Sequence, residues 1–113
     1  MNKYSILIGV LSFSISVGLQ AKIQPKTKLD VTDTAVCTAA AMKSQRFNLY
    51  DIWAKELHNR YTLIFPQKSQ KEIDEYTSER IMDKKRALER KGYTTKPAFL
   101  KFYDQNCKGY EPK

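Results

Sequence analysis

The sequence predicts an all-α fold: a small helical hairpin or three-helix bundle, closed by one long-range disulfide and preceded by a signal peptide. Three observations carry that expectation. Apolar residues recur at helical spacing through most of the chain after residue 34. Helix-start and helix-stop residues such as Ser69, Gly92 and Pro97 fall between the periodic stretches. The only two cysteines, Cys37 and Cys107, stand close to the two ends of that helical region.

The chain opens with a short segment carrying Lys3, followed by an uncharged apolar run over residues 6–19. Leu19-Gln20-Ala21 then ends in a small residue before Lys22. This is the order of a secretory signal, so residues 1–21 are expected to be removed near Ala21. The run is short of the roughly 20 apolar residues of a membrane span, and serines and glycines interrupt it. A lipoprotein would need cysteine where Lys22 stands. No second apolar run follows, so no transmembrane span is expected in the mature chain, whose place is the periplasm or the exterior.

With 20 Lys+Arg against 12 Asp+Glu the chain carries a formal charge of +8. Lys3 leaves with the signal, and the excess that remains draws the protein to anionic partners without naming them. In an exported protein those are acidic envelope proteins or anionic surfaces; nucleic acid is not expected. The mature length makes one small domain, near the lower limit of what a single core supports.

In an oxidising compartment an isolated cysteine pair forms a disulfide. Cys37 and Cys107 are 70 positions apart, unlike a C-x-x-C redox pair, and His58 is the sole histidine, too few groups for a zinc site. A structural Cys37–Cys107 bond is therefore expected. Its loop-closure contribution is about 4 kcal/mol, a large share of a small domain's stability.

Residues 22–33 read as a flexible basic tether, with Lys22, Lys26, Lys28 and Pro25 and no period; its last residues offer several helix N-caps. The helical domain is expected over 34–109. Val36, Ala40, Phe47, Tyr50, Ala54, Leu57, Tyr61 and Ile64 step by three and four with Lys43 the only interruption, widened by Met42, Leu49 and Trp53, until Pro66 stops the pattern. Asn48 and Asp51 resemble a second start, so one helix of about 30 residues and two helices in line are both open.

Ser69-Gln70-Lys71-Glu72 has the form of a capping box and starts a helix to Lys91, with Gly92 as the residue beyond the cap. Its apolar face is thin: Ile73, Tyr76, Ile81, Met82, Ala87 and Leu88. Thr95 and Pro97 mark a third helix over 98–108. Phe99, Tyr103 and Cys107 share one of its faces, which should turn inward toward Cys37. Residues 110–113 are a C-terminal tail.

Catalysis is not expected, and neither is a metal or cofactor. His58 is read as a packed or surface histidine, since a triad or dyad would have to run through it. Glu75, Glu79 and Asp83 form one row at i, i+4 and i+8, a solvated face and not a convergent oxygen site. Lys84, Lys85, Arg86, Arg90 and Lys91 make a cationic collar at the end of the second long helix, which the macrodipole favours. Together with Tyr110 in the tail, the collar is the candidate partner-binding set.

This layout resembles that of many non-enzymatic bacterial and phage envelope proteins: inhibitors and immunity proteins, periplasmic chaperones and accessory subunits. The expectation is a binding protein that acts stoichiometrically on another envelope or exported protein. The alternative is a secreted cationic effector of anionic membranes or lipopolysaccharide.

Overall fold

The computed structural model describes residues 29–113. The expected signal peptide, its cleavage near Ala21 and residues 22–28 of the tether lie outside that stretch. The described chain forms four α-helices and a closing 3₁₀ turn: α1 (Val31–Lys43), α2 (Phe47–Ile64), α3 (Gln70–Arg90), α4 (Lys96–Asn106) and the turn Lys108–Tyr110. The fold is an all-α four-helix bundle with one long-range disulfide, Cys37–Cys107.

The fourth helix comes from the stretch expected to hold one long helix or two in line. Residues 44–46 turn the chain back instead. Ser44 caps α1, and Gln45 adopts the left-handed region at φ 61°. The Gln45 N–H donates to the Met42 carbonyl (3.0 Å) and the Arg46 N–H to that of Ala41 (3.1 Å), the paired bonds of a Schellman cap. The apolar period therefore restarts at residue 47. Phe47 and Ile64, assigned by their spacing to the buried stripe, are exposed, while Trp53, Leu57 and Tyr61 face inward.

α1 begins at Val31, earlier than the boundary expected at 34. Asp30 is its N-cap, accepting from the Asp33 N–H at 2.7 Å. Leu29 is buried in the core and its carbonyl accepts from the Arg60 guanidinium. Residues 29–33 thus belong to the folded domain and not to a tether. The Leu29–Arg60 bond also sets α2 antiparallel to α1, since the start of one meets the end of the other.

α1 is the centre of the bundle and touches each of the other three helices. Thr34, Ala35, Cys37, Thr38, Ala39, Ala40 and Ala41 are all buried, so it is covered nearly all round. Small side chains make this possible by letting three helices approach its backbone. Thr34 and Thr38 keep their hydroxyls satisfied by donating to the carbonyls four residues back, each at 2.7 Å.

α3 starts at the expected capping box: the Glu72 N–H donates to the Ser69 hydroxyl (3.1 Å), and the Ser69 N–H to the Glu72 carboxylate (2.8 Å). Those Ser69 bonds hold the Glu72 pKa below the usual carboxylate value. It ends in a second Schellman cap, with Gly92 at φ 104°, where an L side chain is strained. α3 lies on α1 and α2 with Ile73, Thr77, Ile81 and Leu88 buried; Met82, counted in its apolar face, is exposed. His58 of α2 bonds Asp74 of α3 at 2.9 Å. Beside it Tyr61, Phe65 and Tyr76 pack edge to face, and burial pushes the Tyr61 hydroxyl up to about 12.

α4 is capped by Thr95, whose hydroxyl accepts from the Ala98 N–H (3.2 Å). It starts two residues earlier and ends two earlier than the spacing suggests. Phe99, Tyr103 and Cys107 face inward as expected, and Cys107 joins Cys37 with both sulfurs out of contact with solvent.

Candidate functional site

Two surfaces stand out once the core is accounted for: the outer face of α2 with the C-terminal tail against it, and the basic end of the bundle.

The tail is fastened from below. Tyr103 is fully buried, and its hydroxyl accepts from the Trp53 indole N–H at 2.7 Å and donates to the Glu111 carboxylate at 2.6 Å. Burial, chiefly, and the bond to Glu111 raise the Tyr103 pKa above its ordinary value. Arg46 lies over the Tyr103 ring, 5.3 Å from its centroid, and bonds Asp104 at 2.8 Å. The 3₁₀ turn swings Tyr110 against the same core cluster. Tyr110, in the expected C-terminal tail, is therefore half-buried against the core and also a wall of a cleft.

The fastened tail leaves a cleft on each side. One, of about 340 Å³, lies between Trp53, Glu56 and Arg60 of α2 and Tyr110 to Lys113 of the tail. The other, of about 270 Å³, faces outward between Ile52, Lys55 and Asn59 and the residues Pro112 and Lys113. Arg60 is already engaged with Glu56 (2.8 Å) and the Leu29 carbonyl, so it holds the N-terminal entry to α1 in place. Further along the same row, Leu63 is 81% exposed.

The collar residues lie where the sequence placed them, in the last turns of α3, but their charge is partly spent. Arg86 bonds Asp83 at 2.5 Å and Lys85 reaches Glu89 at 3.6 Å. Arg90 and Lys91 are exposed, and no ion pair ties them, or Lys84, among the described residues. Asp83 is claimed by Arg80 and Arg86, whose bonds and charges hold its pKa down, so it does not converge with Glu75 and Glu79. No group of three His, Cys, Asp or Glu side chains among the described residues has the spacing of a metal site. No described helix is long and apolar enough to cross a membrane.

Comparison with protein families, with curated proteins and with solved structures found no match for this chain. The class is set by architecture alone: a small disulfide-linked four-helix bundle.

Sequence reasoning missed the Trp53–Tyr103–Glu111 chain and the exposure of Phe47. A buried tryptophan or tyrosine needs a partner for its polar edge, which was a signal, but spacing does not say which residue supplies it.

Proposed function

We propose that this is a small exported, non-enzymatic binding protein acting stoichiometrically on another envelope protein, as an inhibitor, immunity factor or accessory subunit. The outer face of α2 supports the reading. Ile52 lines the outward cleft beside the tail, and Leu63 stands eleven residues further along the same row, about 16 Å at 1.5 Å per residue; both are exposed. Exposed apolar side chains around a cleft with a polar rim are the usual make-up of a protein-binding surface.

The test is affinity capture from an envelope fraction, followed by titration calorimetry with the captured protein. A saturable complex of fixed stoichiometry is expected, and Ile52→Glu/Leu63→Glu should lose it while keeping native helicity. His58→Ala, Glu75→Gln and Glu79→Gln should bind as the wild type does. A partner retained by the double variant rejects this face. Substrate turnover that His58→Ala abolishes rejects the non-enzymatic reading.

A further inference from the structure

Three chain segments meet at the basic end of the bundle: the turn after α1, the first turn of α2, and the turn between α3 and α4. Ala41, Trp53 and Leu88 share one core cluster. Counting from these residues, Lys43 lies two positions along α1, Phe47 six along α2, and Arg90 and Lys91 two and three beyond Leu88. At 1.5 Å per residue every one of them is within about two helical turns of that cluster. Lys96, the first residue of α4, follows the Gly92 turn.

Lys43, Arg90, Lys91 and Lys96 are in no ion pair among the described residues. Arg46, Lys85 and Arg86 add positive charge that Asp104, Glu89 and Asp83 offset, and Asp51 lies one turn into α2. Among these cations Phe47 stands 60% exposed and belongs to neither core cluster. Its exposure has no explanation in the packing of the bundle.

We infer that this end docks on an anionic phospholipid bilayer. Phe47 enters the interface while Lys43, Arg90, Lys91 and Lys96 meet the phosphate head groups. Interfacial binding combines apolar burial with attraction to anionic lipid, and here the two come from different helices. α3 alone has too thin an apolar face for the task; Phe47 of α2 supplies what it lacks. A single exposed ring among cations suits a deformable surface, whereas a protein partner needs a fitted hollow for it. The opposite end is of mixed charge, with Asp30, Asp33, Glu72 and Glu75 beside Lys68 and Lys71 and the exposed Leu63 and Ile64. Docking by the basic end leaves the outer face of α2 turned sideways. It does not depend on the protein-binding role proposed above.

Flotation of the whole protein with vesicles of mixed phosphatidylcholine and phosphatidylglycerol, against phosphatidylcholine alone, tests the inference. Binding to the anionic vesicles is expected, weakening as salt rises. Arg90→Glu/Lys91→Glu should weaken it by about tenfold or more, and Phe47→Ser by about tenfold, with helicity unchanged. Leu63→Ser should bind as the wild type does. Partition coefficients read below saturation keep a common contribution from the apolar run at 6–19 from hiding the difference between lipids or between variants. Phe47→Trp gives an independent reading: brominated phosphatidylglycerol should quench its fluorescence, leaving buried Trp53 of the wild type unaffected. Equal binding to both vesicles, binding retained by Arg90→Glu/Lys91→Glu, or an unquenched Phe47→Trp overturns the inference. So does loss of an acidic protein partner, without loss of charge-dependent vesicle binding, in that double variant.

Discussion

Tyr103 carries more than its ring volume. Its hydroxyl is the acceptor for Trp53 and the donor to Glu111, so one side chain joins the core, α2 and the tail. Tyr103→Phe leaves the buried Trp53 N–H without a partner, and an orphaned buried donor costs about 1–3 kcal/mol. Urea unfolding should show that loss, with the tail becoming more accessible to carboxypeptidase. Glu111→Gln keeps an acceptor for the tyrosine and should cost less. Gln45 makes the opposite prediction. It holds a left-handed conformation that penalises a β-carbon, so Gln45→Gly should stabilise the protein by about 1 kcal/mol, read as a rise in the denaturation midpoint. The sequence put Tyr103 on an inward face without showing its bonds, and did not single out Gln45. Glutamine is an uncommon residue for that position, and nothing in the spacing of Tyr103 distinguishes a packed ring from a bonded one.

At the scale of elements, caps were the legible part. Ser69 with Glu72, Gly92, Thr95 and Pro66 stand where the sequence placed them, because each acts on backbone groups within a few residues of itself. The inward face of α4 was legible for the same local reason. A break at 44–46 was left open and the reversal of direction there was not legible, since the apolar steps on its two sides happen to continue in phase. The role of α1 was also hidden. A run of alanine and threonine reads as a weak amphipathic stripe, yet it forms the central helix because only small residues admit three neighbours. Ala39→Leu should therefore cost about 1–3 kcal/mol or more, as overpacking does, whereas Leu63→Ser should stay within about 0.5 kcal/mol of the wild type. Thermal melts of the two variants check this. The surfaces were the least legible, because an exposed Phe47 and a half-buried Tyr110 are decided by neighbours distant in sequence.

For the molecule as a whole, two measurements follow. Cys37→Ser should lower stability by about 2–5 kcal/mol, since the bond restrains a loop of most of the domain. Denaturation with and without the bond gives the figure. Alkaline pH should also unfold the protein. Tyr61 and Tyr103 have folded pKa values raised above the ordinary 10.0, Tyr61 to about 12. Their contribution to stability is complete below the unfolded value and is lost as pH rises from 10.0 through the folded one. Loss of helical ellipticity should track the late part of the tyrosinate absorbance; all tyrosines ionising together near 10.0 with helices intact would contradict it. The bond between Cys37 and Cys107 has a consequence of another kind. It turns the chain between those residues into a covalent ring that holds all of α2, α3 and α4. A protease that cuts any one peptide bond of that ring opens it without releasing a piece. The nicked protein keeps its mass until a reductant reaches the buried sulfurs, and it retains every segment needed to close up again. A single cleavage within the ring is a scar on this molecule, and two are needed there to take anything away.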